Sequence, residues 1–588
     1  MLTVLEVSTQ RRLYDGIYSA MKKLSAFWLS IAAATLIAVL YGQGRNSPRQ
    51  FTVVEATIPE MSAAMSQGRV TSQQLVREYL VRIGLYEDKL NAAISVNPKA
   101  LEEAAERDRE RAQGKTRGPL HGIPIALKDN IHTTGMPTTG GAIAFDGFIP
   151  PYEATLTKNL RDSGAVIIAK TGMTELANWV ASGMPGNYNA LTGYGMNPYD
   201  PRRDPRPATF DGRPALNTSG SSSGIGTTAN FWAANVGTET SGSILGPANQ
   251  NMLVGIKPTV GRISRYGIIP ITADQDTAGP IAKTVADAAV LLGVMEGAAP
   301  DPNDSATGRC APPVARDYTR FLKKDGLKGA RIGIPRAFYY DRRMLPGAKE
   351  PRGGLNADQT NLMAEAIAIL RQSGAIIIDP ADLPSVLTED AESNLLRWST
   401  CAGSGAAKGK DQNCSTVFKY GMKRDFNAWL STLGPEAPVK SLAELRKFNL
   451  AHQAAGAIKY GQAQLDISDE MDIEQDRERY KADRAKDLLL AGERGIDAAL
   501  KESKLDALLF PGATGYAVAA APGYPTVIVP FGMLPNNPRP PFPEGFNAKS
   551  GPFGVSFTGS ACSEPRLIEL AYAFEQATKR RVPPPAFP

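Results

Sequence analysis

Residues 217–267 read NTSGSSSGIGTTANFWAANVGTETSGSILGPANQNMLVGIKPTVGRISRYG. Two serine–glycine clusters, at 219–226 and 240–246, flank an apolar segment of helical character at 227–236. Glycine lets a backbone turn sharply and aims consecutive N–H groups at one point, which makes an anion or oxyanion site. A flexible linker of this composition would not carry Phe231, Trp232 and the apolar run 253–256. A phosphate-binding loop is excluded because no Gly-Lys-Ser/Thr follows the glycines. The run GSSSG at 220–224 also fits the GxSxG nucleophile elbow, with Ser222 as nucleophile. That chemistry needs a late histidine after an acid. Only His452 qualifies, and it sits in an ordinary helical stretch, 445–461.

Outward from this centre, short apolar runs recur between helical stretches, at 123–127, 165–169, 331–334, 375–378, 506–510, 526–529 and 554–557. Gly164 and Gly374 stand where a preceding helix would end. Thr71 with Gln74 forms a capping box, after which Leu75, Val76, Tyr79, Leu80 and Ile83 share one helical face. Strands alternating with helices predict an α/β fold: a central mixed, largely parallel β-sheet with helices on both faces. The 588 residues would by length alone suggest about four domains. No linker or repeat divides residues 51–588, so one large domain is expected there. The Pro-rich pieces 534–546 and 582–588 suggest a surface loop and tail.

Hydrophobic residues make up 43% and charged residues 21%, ordinary values for a globular chain. Four of the six net positive charges fall in residues 1–50, leaving residues 51–588 near neutrality and without a general pull toward nucleic acid. Three histidines and four cysteines, with neither CxxC nor HExxH, predict no metal site. In the N-terminal extension, Lys22 and Lys23 precede an apolar core at 27–41, then Gly42 and Gly44. Those are the parts of a cleaved export signal, and fifteen apolar residues are short for a span of about 20. The expectation is a periplasmic or secreted protein, with an uncleaved membrane anchor as the alternative. In an oxidising compartment Cys401 would pair with Cys414, leaving Cys310 for Cys562 by elimination.

GSSSG, then GTETSGSI, then VGIKPTVGRISRYGIIP resemble the amidase signature of serine hydrolases, a group that includes peptide amidase and the A subunit of glutamyl-tRNA amidotransferase. The resemblance extends to LHGIPIALKDNI (120–131), 153–178, LDALLFPGATG (505–515), 520–532 and 551–578. It implies a Ser–Ser–Lys catalytic set: Lys128 as base, Ser243 as nucleophile, and Ser221 as the bridging serine, with Ser222 or Ser219 as alternatives. It also implies an oxyanion hole from the backbone N–H groups of Thr240, Ser241 and Gly242. Glu239 and Ser241 stand where many members have Asp and Gly, and Leu245 where many have Arg, which is closer to the peptide-amidase side of the family. Residues 197–216 are longer than the usual connection and are expected to form a surface loop near the cleft.

The implied reaction is hydrolysis of a carboxylic amide to acid plus ammonia or amine through an acyl-enzyme, without cofactor or metal. The implied partner is a small-molecule amide or peptide amide, not nucleic acid, with the protein either alone or as a homodimer. Two other readings remain at this stage: a glutamine-hydrolysing subunit of a tRNA-dependent amidotransferase, and a silent binding protein on the same scaffold. Without the resemblance, Lys128 would be assigned to a strand-end salt bridge with Asp129.

Overall fold

The computed structural model describes residues 51–209, 211–218 and 223–587. The expected export signal at 27–41 therefore lies outside the described residues. The centre of residues 53–588 is an eleven-stranded sheet. In chain order its strands are β1 Ala93–Val96, β2 Pro124–Lys128, β3 Val166–Thr171, β4 Ala234–Glu239, β5 Val254–Lys257 and β6 Thr277–Ala282. They continue as β7 Arg331–Gly333, β8 Ile376–Ile378, β9 Ala507–Pro511, β10 Thr526–Leu534 and β11 Gly551–Thr558. Across the sheet they lie in the order β1-β3-β2-β4-β6-β5-β10-β11-β9-β7-β8.

All seven apolar runs became strands. A strand buried on both faces needs no polar alternation, and every residue of β2, β3 and β9 is buried, whereas β8 at the sheet edge leaves Ile376 exposed. The sheet is mixed, as expected. Parallel ladders join β3-β2-β4 and β9-β7-β8. Between these blocks, the contiguous pairs from β4 to β9 are antiparallel. The antiparallel share exceeds what alternating strands and helices suggest. Loops 258–276 and 535–550 join β5 to β6 and β10 to β11 directly, and antiparallel neighbours need no crossover helix.

Helices cover both faces. They include α1 Ser72–Leu90, α2 Leu245–Gln250, α3 Val285–Met295, α4 Val417–Thr432 and α5 Glu564–Thr578. Phe557 of β11 meets Phe574 of α5 at 5.8 Å. On the opposite face Ile528, paired with Ser556, joins Ile244, Leu245 and Ala248 of the α2 segment. The Thr71–Gln74 capping box opens α1, with Leu75, Val76, Tyr79 and Ile83 buried.

Two expectations need correction and a third gains detail. Residues 227–236 are not one helix: a helix at Ser223–Thr228 gives way at Asn230 (φ 57°) to a turn, and Ala234 begins β4. The turn buries Trp232 over Gly226, where a Cβ would lie 2.0 Å from the indole. The C-terminal segment is not a free tail. Phe587 is buried, its carbonyl accepts from the Arg82 guanidinium, and Tyr199 donates to the Val582 carbonyl. The loop 197–216 starts near the cleft, where Asn197 donates to the carbonyl of the cleft residue Gln250 at 3.0 Å, but none of its described residues lines that cleft. They pack on the Pro-rich loop instead, with Arg202 over Phe546 and Arg206 over Phe542. Two disulfides are present, Cys310–Cys562 and Cys401–Cys414, the pairing expected from sequence.

Candidate active site

Lys128 is the last residue of β2 and lies beside β4, the strand that leads into the second serine–glycine cluster. Its side chain is wholly buried, and its Nζ donates to the Thr238 carbonyl at 3.0 Å. Among the described residues no carboxylate comes within ion-pair distance of it. The salt bridge to Asp129 does not form. Asp129 instead accepts from Thr139 and faces Lys170 at 3.4 Å. Burial lowers the Lys128 pKa to about 8, against the opposing pull of the Asp276 and Glu239 charges. Such an amine is available in its neutral form near neutral pH.

The chain leaves β4 at Glu239, turns through Thr240–Gly242 and enters α2 just after Ser243. Two carboxylates hold this turn. Glu239, 1% exposed, accepts the backbone N–H of Ile244 at 2.7 Å and of Leu245 at 3.0 Å, which ties the end of β4 to the start of α2. Asp276 accepts the Thr240 hydroxyl and the N–H groups of Ile271 and Thr272 at 2.9 and 3.0 Å. Burial raises the Asp276 pKa to about 7. Gly242 has φ +94°, and the Tyr516 ring lies over it so closely that a Cβ would be 3.1 Å away. The positive φ is what favours glycine here. Among the described residues, the N–H groups of Thr240, Ser241 and Gly242 meet no acceptor.

Ser243 is partly exposed and opens, with Ser241 and Gly242, onto a cleft of about 510 Å³. A second cavity of about 350 Å³ lies on the other side of Thr240, lined in part by Asn130, Thr238 and Asp276. The structure thus brings Lys128, through its bond to Thr238, to the strand that carries Thr240–Ser243. Ser221 and Ser222, with Ser219, lie outside the described residues. Both flanks of that cluster meet Asn251 just after α2: Thr218 accepts from its amide at 3.0 Å, and Gly224 approaches the same group.

Sequence reasoning did not single out several cleft residues. Leu176, Ala177 and Asn178 form a left-handed run (φ 42°, 58° and 73°), and Ala177 faces both cavities. Non-glycine residues rarely hold such angles unless the surroundings impose them. Trp179, Phe418, Tyr516 and Phe553 supply the aromatic walls of the Ser243 cleft. The segment 153–178 belongs to the family resemblance, which was the one signal for Asn178.

None of the three histidines competes as base. His132 accepts from the Trp429 indole at 2.9 Å, and burial drives its pKa down to about 3. His121 contacts the Arg107 carbonyl and His452 the Phe448 carbonyl, and none of the three lines the Ser243 cleft. Among the described residues no group of His, Cys, Asp and Glu is arranged to hold a metal ion.

With Ser243 opening onto a cleft and Lys128 buried where β2 meets β4, the helix-clad mixed sheet is that of an amide hydrolase. The chain belongs to the Amidase family, whose model matches residues 74–568. It is 35% identical over 539 residues to an Arabidopsis thaliana protein named as a probable amidase, covering 91% of this chain and 92% of that one. The solved structure of native peptide amidase from Stenotrophomonas maltophilia superposes with a TM-score of 0.74 at 37% identity, covering 90% of this chain and 98% of that one. The A-type chain of glutamyl-tRNA(Gln) amidotransferase from Chloroflexus aurantiacus is 39% identical over a shorter stretch, 55% of this chain and 60% of that one.

Proposed function

We propose that the protein hydrolyses a carboxylic amide through an acyl-enzyme, with Ser243 as nucleophile, Ser221 as proton relay and Lys128 as base. The observation that carries this reading is the state of Lys128: wholly buried, bonded to one carbonyl and lowered to about pKa 8. An amide is a poor electrophile with a poor leaving group, so it needs an activated nucleophile, a stabilised oxyanion and a proton for the departing nitrogen. Neutral Lys128 takes the Ser243 proton through the Ser221 hydroxyl, which both accepts and donates. Ser243 Oγ adds to the carbonyl carbon, and the developing oxyanion meets the unengaged N–H groups of Thr240, Ser241 and Gly242. The relay then runs backward to protonate the leaving amine. Water attacks the acyl-enzyme and regenerates the serine.

Labelling with a serine-directed fluorophosphonate tests the set. Ser243→Ala should abolish the label, and Ser221→Ala should slow turnover severely while leaving slow labelling. A greater loss in Ser222→Ala than in Ser221→Ala would move the relay by one residue. A label that survives Ser243→Ala would overturn the assignment.

The substrate in this reading is a small-molecule amide or a peptide amide, and the likeness to peptide amidase supports the latter. The likeness to the A-type chains of amidotransferases favours a second reading, glutamine hydrolysis for a tRNA-dependent partner. Leu245 in place of the arginine common there counts against it. Isolation of a stable complex with partner proteins from the native host would revive it. The protein in our reading is exported with loss of residues 1 to about 44. The pattern at Lys22, Lys23 and 27–41 supports this, as do two disulfides suited to an oxidising compartment. N-terminal sequencing of native protein that returned Met1 or Met21 would refute it.

A further inference from the structure

The described lining of the Ser243 cleft contains no Asp, Glu, Lys or Arg. Its polar side chains are amides and hydroxyls, and Trp179, Phe418, Tyr516 and Phe553 give its apolar wall four aromatic rings. Trp179 and Phe418 meet at 5.1 Å, and Trp179 is locked in place by donating to Ser468 at 2.9 Å. Tyr516, 40% exposed, lies against Gly242 beside the nucleophile. A cleft so lined offers flat faces to an aromatic or apolar group and no counterion to a charged one. An ionised group entering it would give up water without gaining a partner.

We propose that this cleft selects amides whose groups next to the scissile bond are uncharged and aromatic or apolar, and that it rejects free glutamine, which carries both an ammonium and a carboxylate. The inference rests on the assignment of Ser243 as nucleophile. Gln359 supplies the sharpest handle on it. It lines the cleft, and its Oε1 accepts the Asn356 N–H in the capping box of the helix Ala357–Gln372. A glutamate can accept that same bond, so Gln359→Glu keeps the cap and adds one anion to the wall.

The test measures kcat/KM for N-acetyl-phenylalaninamide, N-acetyl-lysinamide, N-acetyl-aspartic acid α-amide and L-glutamine, by ammonia release, on the full-length enzyme. The phenylalaninamide should exceed each charged amide by at least about a hundredfold, and glutamine should not be turned over. In Gln359→Glu the lysinamide should gain about tenfold relative to the aspartic amide. Charged amides cleaved within about threefold of the phenylalaninamide would overturn the inference, as would a Gln359→Glu enzyme with an unmoved ratio. Fluorophosphonate labelling separates the two levels. With Ser243 labelled, a failed preference removes only the cleft inference. With no label and no amide cleaved, the assignment of Ser243 falls and takes the cleft inference with it.

Discussion

If Lys128 is the base, the pH dependence of kcat/KM follows its titration, and the structure sets where that titration lies. With a pKa of about 8, about a tenth of Lys128 is neutral at pH 7 and about nine-tenths at pH 9. Activity should therefore rise about tenfold between those values, with a slope near one below pH 8. A histidine base at about 6.5 would change less than about 1.5-fold over the same range. The neighbouring carboxylates sharpen the test, because the charges of Asp276 and Glu239 hold the Lys128 pKa up against burial. Asp276→Asn removes one of those charges while its amide can still serve Thr240, Ile271 and Thr272. The alkaline limb should then move to lower pH. The shift is best read above pH 7, where wild-type Asp276, with its own pKa near 7, is ionised. Initial rates of ammonia release from N-acetyl-phenylalaninamide, at substrate well below KM and constant ionic strength from pH 6 to 10, give the limb midpoint without depending on absolute rate. Coincident limbs in wild type and Asp276→Asn, or a wild-type midpoint near 6.5, would refute the assignment of the base.

Other consequences can be checked beside it. Lys128→Met should abolish turnover yet stabilise the fold. A lysine lowered from 10.5 to about 8 costs about 3 kcal/mol below pH 8, a cost lost as pH rises toward 10.5. After allowing for the hydrogen bond to Thr238, thermal melts at pH 7 should show a gain of about 2 kcal/mol that shrinks at pH 10. Glu239→Ala strips the acceptor from two buried N–H groups, and should cost about 2–4 kcal/mol in denaturant unfolding together with most fluorophosphonate labelling. Gly226→Ala would drive a methyl into Trp232 and should cost about 3 kcal/mol or more, read as poor soluble yield or a lowered Tm. Removing Cys310–Cys562, which closes a separation of 252 residues, should destabilise more than removing Cys401–Cys414 with its 13, by about 2.6 kcal/mol on a chain-entropy scale. Equal losses in the paired Cys→Ser variants would contradict that ordering.

Much of the fold was legible in local pattern. A short apolar run announces a strand, so β2, β3 and β7 to β11 could be placed from sequence, whether buried on both faces, as β2, β3 and β9 are, or at the sheet edge, as β8 is. The Thr71–Gln74 cap marked the start of α1 for the same reason, since it is a contact between residues three apart. β1, β4, β5 and β6 were missed; in β4, ANVGTE mixes small and polar residues whose burial depends on the strands beside it. The Ser/Gly cluster around Gly242 stood out as a backbone turn, but Ser243 was named within it through family resemblance. Lys128 was named through family resemblance alone, since five residues of apolar strand ending in a lysine do not distinguish a base from a salt bridge.

What tertiary structure decided is the electrostatic setting of these residues. Asp129 follows Lys128 directly yet faces Lys170, whereas the carboxylates that act on Lys128 belong to β4 and to Asp276, just before β6. The aromatic wall likewise joins Trp179 to Phe418, and Trp179 is anchored by Ser468, 289 residues along the chain. Sequence by itself determined seven of the eleven sheet strands and where the backbone turns at the Ser/Gly clusters, because each depends on neighbours within a few residues. Only the folded sheet, by bringing β2 against β4 and β4 against β6, decided that Lys128 would be buried without a paired carboxylate among the described residues, and that the described lining of the Ser243 cleft would carry aromatic rings and no charged side chain. Those outcomes depend on which distant segments share a strand edge, and no local period in the chain encodes that.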